Sequence, residues 1–439
     1  MLLNAADKAL WRLALPMIFS NITVPLLGLV DTAVIGHLDS PVYLGGVAVG
    51  ATATSFLFML LLFLRMSTTG LTAQAWGAKD PQRLARALVQ PLALALGAGV
   101  LIILLRLPLI DLALHIVGGS EAVLEQARRF LEIRWLSAPA SLANLVLLGW
   151  LLGVQYARAP VILLVVGNLL NIVLDLWLVM GLRMNVQGAA LATVTAEYAT
   201  LIIGLLMAKR VLTLRGVSLA MLKNAWRGDL RRLLALNRDI MLRSLLLQLC
   251  FGALTVFGAR LGSEIVAVNA VLMTMLTFTA YALDGFAYAV EAHSGQAYGA
   301  RDGSQLLEVW RAACRQSGMV ALAFALIYSL AGQYIIALLT SLPSLQQLAD
   351  RYLIWQTILP VVGVWCYLLD GMFIGATRGA EMRNSMAVAA AAGFAVTLLT
   401  LPVLGNHGLW LALAVFLALR GLSLALIWRR HWRRGTWFS

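Results

Sequence analysis

Twelve apolar segments, each long enough to cross a bilayer, constrain what this chain can fold into. A spanning helix needs roughly 20 predominantly apolar residues. The chain is 61% hydrophobic and 12% charged, whereas soluble domains average about 25% charged residues. The sequence therefore predicts an all-α polytopic membrane protein with twelve transmembrane helices. The segments lie near residues 13–35, 44–64, 84–105, 130–154, 161–182, 188–208, 233–259, 265–290, 310–336, 352–376, 385–404 and 408–428.

The twelve segments form two groups of six, and a short motif recurs in both groups. TAQAWGAKD (72–80) follows the second segment, and SGQAYGARD (294–302) follows the eighth. Both copies follow the second helix of their group, so the predicted repeat is parallel, and transporters are often built from such repeats. The predicted organisation is an N-terminal six-helix lobe, a cytoplasmic basic linker, a C-terminal six-helix lobe and a cytoplasmic tail. Their ranges are 1–208, 209–232, 233–430 and 431–439.

Lysine and arginine are concentrated in alternate loops, which predicts the orientation in the membrane. These loops include Lys79, Arg158, Arg301 and Arg378, and the tail WRRHWRRGTW has the same bias. By the positive-inside rule both termini are cytoplasmic, and we expect a bacterial inner-membrane location. The net charge of +13 follows from this bias and does not indicate nucleic acid, since no basic face with interleaved aromatic residues occurs. Basic residues of the linker are expected to contact anionic membrane lipids.

One carboxylate, Asp31, stands in the apolar first segment, within NITVPLLGLVDTAVIG. A charged side chain at mid-membrane costs about 2.5–3.5 kcal/mol on insertion scales, so it faces the bundle interior or a watery cavity. An apolar residue would pack there without this cost, so Asp31 is predicted to carry a proton or cation; the alternative is a packing hydrogen bond. Pro16 and Pro25 each remove a backbone hydrogen bond and are the predicted bend positions.

Polar residues also occur at helical spacing in the fifth and sixth segments. Asn168, Asn171 and Asp175 are three and four residues apart, so they share one helix face. Thr193 and Glu197 repeat the four-residue spacing. Carboxamide oxygens can bind a carboxylic acid or a cation, and the segments therefore predict a polar cavity around Asp31, which Asn21 could also reach. The alternative is a set of interhelical hydrogen bonds, worth about 0.6 kcal/mol each.

The second group of segments is less symmetric. Asp284 and Glu291 share a face of the eighth segment, and Asp370 lies on the tenth. These are candidate site residues of the C-terminal lobe, although the seventh segment has no counterpart of Asp31. The mid-membrane charges are predicted to be acids, with the arginines at helix ends. Those arginines are Arg65, Arg106 and Arg260.

On the Pro-to-Asp segment LALPMIFSNITVPLLGLVDTAVIGHL and the two GA[KR]D motifs, the chain resembles the multidrug and toxic compound extrusion (MATE) family, in its DinF-like branch. The resemblance implies a V-shaped pair of six-helix lobes and cation-coupled antiport of organic compounds. It places Asp31 at the coupling carboxylate, Asn171 and Asp175 at an Asn-x-x-x-Asp pair, Thr193 at the sixth-helix threonine and Pro16 at the bend.

Other branches of the family use a tenth-helix acid as a sodium ligand, and Asp370 resembles that position. Those branches also have a seventh-helix glutamate, which this chain lacks. A sodium site of that type in the C-terminal lobe is therefore not expected.

Three functions remain open: a secondary antiporter, a lipid-linked oligosaccharide flippase and a membrane-embedded enzyme. A flippase should have arginines within the helices that line its cavity, and a hydrolase should have paired acids or histidines at metal spacing; neither pattern is predicted here. The family resemblance favours a monomeric antiporter that exports hydrophobic, often cationic small molecules. No cofactor is expected beyond the coupling ion, which is a proton or, as the alternative, sodium. The expected sodium ligands are Asp31, Asn171, Asp175 and Thr193.

Overall fold

The computed structural model describes residues 5–38, 40–228 and 230–439, with the side chains of residues 23–33 outside this description. The described residues are almost entirely helical and contain no β-strand. The first half of the chain forms α1 (Ala5–Gly36), α2 (Pro41–Leu60), α3 (Phe63–Gly77), α4 (Pro81–Leu104), α5 (Arg106–Val117), α6 (Glu121–Arg134), α7 (Ala138–Gly153), α8 (Arg158–Asp175), α9 (Asn185–Leu214) and α10 (Leu219–Asn224). The second half forms α11 (Leu230–Arg260), α12 (Ser263–Ala300), α13 (Gly303–Leu339), α14 (Pro343–Gly375), α15 (Gly379–Leu404) and α16 (Asn406–Arg434).

Eleven helical segments in the described part of the chain are long and apolar enough to cross a membrane. They correspond to the second through twelfth predicted segments, with α2 and α3 forming one span and α6 and α7 another. The 32-residue helix α1 contains the first predicted segment. The prediction of an all-α, multi-span membrane protein is confirmed.

The predicted linker at 209–232 is more helical than its polar composition suggested. Helix α9 extends to Leu214, α10 forms within the linker, and α11 already begins at Leu230. The linker packs on α4, where Gln90 Nε2 donates to Gly228 O at 2.6 Å. A search for bilayer-length apolar runs cannot find such helices, because helix outside the membrane needs no continuous apolar sequence.

The repeated GA[KR]D motif builds the same helix-ending turn in both halves. Lys79 and Arg301 adopt left-handed backbone conformations, with φ of 53° and 52°. The next residue, Asp80 or Asp302, donates its backbone N–H to the carbonyl five residues earlier, as in a Schellman turn. Each aspartate side chain then accepts a backbone N–H at the start of the next helix. The motif therefore ends one helix and caps the next.

Left-handed residues recur at a constant interval along the sequence, which extends the repeat beyond this motif. Three residues with positive φ in the first half each have a counterpart in the second half at the same separation. The pairs are Lys79 and Arg301, Gln155 and Thr377, and Arg183 and Gly405. The second and third pairs bracket α8 in one half and α15 in the other, so residues within these helices can be matched.

The chain divides into two compact units. The N-terminal unit is Ile22–Leu234, and the C-terminal unit combines Met1–Asn21 with Ala235–Ser439. The boundaries fall inside α1 and α11, so these units differ from the lobes predicted from the repeat, whose limits remain a prediction. In the C-terminal unit, the ring of Trp11 packs edge-on against Phe286 at 5.1 Å, and Arg315 Nη2 lies 2.7 Å from Asp7 Oδ1.

Each unit has a core that contains a fully buried tryptophan. In the N-terminal unit, Trp150 Nε1 donates to Leu84 O at 3.1 Å. In the C-terminal unit, Trp410 Nε1 donates to Asn269 Oδ1 at 3.0 Å. A buried indole N–H requires an acceptor, so these bonds fix the depth and rotation of α7 and α16 against their neighbours.

Candidate functional site

The polar stripe of α8 lies in the interior of the N-terminal unit. Asn171 and Asp175 are 3% and 1% exposed, while Val173 on another face is 60% exposed. Asn168, one turn earlier, is half-buried. Asn171 Oδ1 is buried and accepts no hydrogen bond from the described residues. A buried amide oxygen in this state can accept a proton donor or bind a cation.

Directly after Asp175 the helix changes its winding. Residues Leu176–Gly181 form a π-helical segment, and such segments are uncommon and occur frequently at functional sites. The wider turn gives the chain a different rotation on each side of Asp175. The carboxylate therefore stands at the junction between two helical geometries.

On α9 the two predicted residues have separate partners. Thr193 Oγ1 donates to Ala189 O of its own helix at 3.1 Å. Glu197 is contacted by Asn144 of α7, whose Nδ2 donates to the Glu197 carboxylate at 3.0 Å and to its carbonyl at 3.1 Å. Sequence reasoning missed Asn144, although a single amide within the apolar α7 was a visible signal.

The first helix is described only in part. Asp31 and Pro25 fall within residues 23–33, whose side chains lie outside the described structure, so their roles remain predictions. The backbone is helical through Pro16. Asn21 Nδ2 donates to Tyr281 O of α12 at 3.1 Å. Its observed contact is therefore within the C-terminal unit and not with the stripe of α8, where the sequence placed it.

In the C-terminal unit, Asp370 of α14 is held by two arginines. Arg243 of α11 donates through Nη2 to Asp370 Oδ2 at 2.5 Å, and Arg420 of α16 donates to the same oxygen. The side chains of Arg243, Asp370 and Arg420 are 8%, 11% and 4% exposed. The three residues form a buried ionic cluster, which we call the Asp370 cluster.

The Asp370 cluster corrects the prediction that the mid-membrane charges are acids and the arginines lie at helix ends. Arg243 and Arg420 lie well inside α11 and α16. The prediction failed because the carboxylate that permits their burial, Asp370, lies 127 and 50 residues away in the chain. A guanidinium can be buried when a carboxylate compensates its charge, and that carboxylate comes from another helix.

The acids of α12 are near the same cluster. Asp284 is half-buried and Glu291 is 2% exposed, and Asp284 interacts electrostatically with Asp370, Arg420, Glu291 and Arg243. Glycines on α14 make this proximity possible. A Cβ at Gly371 would lie 2.6 Å from Ala287 O, which is inside van der Waals contact. Close approach of α12 and α14 thus brings their acids together.

No group of three or more His, Cys, Asp or Glu side chains suited to a metal ion is found where side chains are described. The stripe of α8 offers one carboxylate and one amide oxygen that accepts no hydrogen bond from the described residues. Oxygen atoms of this kind can bind a proton or an alkali cation.

Long apolar helices with carboxylates and amides inside them define a polytopic helical transporter of the membrane. The MatE family model matches residues 16–177 and 240–404, and the chain belongs to this family of transporters. The resemblance predicted from the sequence is confirmed.

Individual relatives agree with this assignment. The chain is 87% identical to the DNA damage-inducible protein F of Escherichia coli strain K12 over 437 residues, which is 100% of this chain and 95% of the relative. An outward-facing multidrug resistance MATE transporter of the MOP superfamily matches with a TM-score of 0.85 at 22% identity, covering 98% of this chain and 96% of that one. A MATE in the bent conformation matches with the same TM-score at 23% identity and the same coverage.

Proposed function

We propose that this transporter is a secondary antiporter that exports hydrophobic, often cationic organic compounds in exchange for protons, with sodium as the alternative ion. The burial of Asp175 beside the free amide oxygen of Asn171 carries the proposal. An ionisable group inside a membrane protein marks an ion or substrate path by default. Asp31, about five helical turns into the predicted first span, is proposed as the main coupling carboxylate.

Exchange follows if a proton and a cationic substrate compete for the same carboxylates. A ligand shifts a two-state equilibrium only through its different affinity for the two states. Protonation removes the negative charge that would hold a cationic substrate, so the protonated form releases substrate and the deprotonated form binds it. Alternation between the two forms couples export to the proton gradient.

We further propose that α1 bends near Pro16 or Pro25 as the protonation state changes. Each proline removes one backbone hydrogen bond and weakens the helix locally. Solved MATE structures of the same fold are described as bent and as straight conformations, which favours a conformational change in this fold. Bending would change the volume available in the N-terminal unit around Asp175 and release the substrate.

A flippase for lipid-linked oligosaccharides remains the competing function, and the buried arginines now bear on it. A pyrophosphate head group requires cationic side chains available in a cavity. Arg243 and Arg420 both donate to Asp370 and also interact with Asp284, so both are already engaged by acids of the protein. The antiporter therefore fits the described residues better.

The proposed cellular setting is the bacterial inner membrane with both termini in the cytoplasm. The protein is proposed to act as a monomer, with membrane lipids and small organic molecules as its partners. Reporter fusions to residues 1 and 439 would test the orientation, since a cytoplasm-active reporter should be active at both ends.

Antiport in proteoliposomes tests the function directly. Ethidium, a fluorescent lipophilic cation, is loaded, and a pH gradient or a sodium gradient is imposed alone. We expect the pH gradient to drive ethidium movement and Asp31→Asn to abolish it while the protein stays folded. If neither gradient drives movement of ethidium or of other lipophilic cations, the antiporter assignment is wrong.

A further inference from the structure

The Asp370 cluster has the geometry of a cation site that is already filled. Arg243 and Arg420 donate to the same carboxylate oxygen, Oδ2, and both arginine side chains are more than nine-tenths buried. Guanidinium is charged at every physiological pH. A cation that approached Asp370 Oδ2 would have to displace one of these two groups.

The neighbouring acids belong to the same charge balance. Besides Asp370, the groups that interact electrostatically with Asp284 include Glu291 of its own helix α12, Arg243 of α11 and Arg420 of α16. Two fixed positive charges therefore face three carboxylates. The arginines supply inside the protein the positive charge that a bound metal cation would otherwise provide.

The internal repeat gives independent support, because the C-terminal counterpart of the α8 stripe has neither a carboxylate nor a side-chain amide. At the interval set by the left-handed residues, Asn171 matches Gly393 and Asp175 matches Thr397. Gly393 and Thr397 line a cavity of about 280 Å³ between α11, α15 and α16. Its other lining residues include leucines and phenylalanines and no carboxylate.

The seventh-span helix adds no acid to this cavity. Within α11, Asp239 is the single carboxylate. Asp239 is paired with Arg383, whose Nη1 lies 2.5 Å from Asp239 Oδ1. The described residues of the C-terminal unit thus offer a coupling cation no carboxylate comparable to Asp175 at the matched place.

We propose that Arg243 and Arg420 are ion-selectivity residues, which act as a built-in cation at Asp370 and leave the coupling ion to the N-terminal unit. The inference rests on the proposed antiport function and deepens it. Arg243 and Arg420 are positioning residues in this account, since they touch Asp370 and neither the substrate nor the transported ion.

The first test neutralises the whole cluster at constant size with Arg243→Gln, Asp370→Asn and Arg420→Gln together. Asp370→Asn alone leaves two buried guanidinium groups without the carboxylate to which they donate, whereas the triple variant removes both guanidinium groups together with that carboxylate. We expect Asp370→Asn alone to lower the unfolding temperature in detergent strongly. The triple variant should recover most of that loss and move ethidium under a pH gradient at a rate within a few-fold of the parent.

The second test asks whether removing the arginines opens a cation site. Unfolding temperature is measured in sodium chloride and in choline chloride at equal ionic strength. The parent should show the same value in both salts. Arg243→Gln/Arg420→Gln should gain a sodium-dependent rise, because Asp370 is then free, and adding Asp370→Asn should abolish that rise.

The outcomes separate this inference from the antiporter proposal. A folded triple variant that has lost pH-driven transport would overturn the inference, since Asp370 would then take part in coupling. So would a sodium-dependent rise in the parent that Asp370→Asn removes, or no sodium response in a folded double variant. If the double variant does not fold, pH-driven ethidium transport by the triple variant decides whether the inference stands. Absence of gradient-driven transport in the parent would instead contradict the antiporter proposal.

Discussion

At the scale of single residues, two acids inside the spans have similar neighbours in the sequence but different neighbours in space. Asp370 and Asp175 both follow apolar residues in long helices. Asp370 is compensated by two guanidinium groups, while Asp175 shares a buried face with the amide of Asn171. A permanently paired carboxylate stabilises one arrangement of helices. Asp175 is the buried carboxylate that we propose to exchange a proton or a cation.

Asp175→Asn is expected to abolish gradient-driven export and leave the fold intact. The amide keeps the size and polarity of the side chain but cannot exchange a proton or carry a charge. Ethidium movement in proteoliposomes is the measurement, with unfolding temperature as the check on folding. Asp350→Asn is the matched control, because Asp350 is exposed in the first turns of α14. The Asp350→Asn variant should transport ethidium at the parent rate. Parent-like transport by Asp175→Asn would remove this residue from the coupling site.

At the scale of elements, short turns and termini fix the helix ends of both units. The GA[KR]D turns use non-glycine residues in the left-handed region and then an aspartate cap. The C-terminal tail folds back near the second of these turns, where Trp437 packs edge-on against Tyr298 at 6.2 Å. Trp437 is 2% exposed and packs edge-on against Phe373 at 5.1 Å. The turns act through hydrogen bonds between residues close in the chain, whereas the tail packs on α14 through the contact of Trp437 with Phe373.

The aspartate caps should contribute similar amounts to stability in the two halves. Asp80→Ala and Asp302→Ala are each expected to cost about 1 kcal/mol, because a helix-start N–H loses its acceptor. Asp80→Asn and Asp302→Asn are the controls, since asparagine caps about as well as aspartate. Denaturant unfolding in detergent measures the difference. An equal loss for alanine and asparagine would show that the caps do not act through this hydrogen bond.

The tail is expected to be a structural part of the C-terminal unit. Arg378 Nη2 donates to Thr436 O at 3.0 Å and to Trp437 O at 2.8 Å. Trp437→Ala should therefore cost about 3–5 kcal/mol, the usual range for a buried tryptophan. Trp226→Ala, at a tryptophan that is 61% exposed, should change the unfolding free energy little. A comparable effect of the two substitutions would contradict a docked tail.

At the scale of the whole molecule, α1 and α11 are the helices that belong to both compact units. The unit boundaries fall within them, after Asn21 and after Leu234. The first part of α1 is tied to α12 by Asn21 and to α13 by Asp7. Pro16 lies inside this tied part, and Pro25 lies beyond it. A bend at Pro16 would therefore have to occur within the part of α1 that these contacts hold, whereas a bend at Pro25 would not.

Proline substitution is expected to separate transport rate from substrate affinity. Alanine restores the missing backbone N–H and strengthens the helix, so the substitution at the true bend should slow ethidium transport with near-normal binding. Pro16→Ala and Pro25→Ala serve as controls for each other. Distances between spin labels placed on either side of each proline, measured at low and high pH, report the bend. Distances that do not change with pH would exclude bending and leave the antiporter proposal intact.

The sequence by itself determined the helical membrane fold, its spans and the repeated turn. Segment length and hydrophobicity fix a spanning helix without reference to its neighbours, because in lipid each helix must satisfy its own backbone hydrogen bonds. The GA[KR]D turn is equally local, since its hydrogen bonds join residues a few positions apart. The face shared by Asn171 and Asp175 also follows from helical periodicity alone.

Only the tertiary structure decided which polar residues meet. Arg243 and Arg420 lie 127 and 50 residues from Asp370 in the chain, and Asn144 lies 53 residues from Glu197. The periodicity of one helix gives its polar face but not its depth or rotation against another helix. Those depend on packing, such as the close approach of α12 and α14 at Gly371. Whether a buried acid is compensated or available for exchange is therefore a property of the assembled bundle.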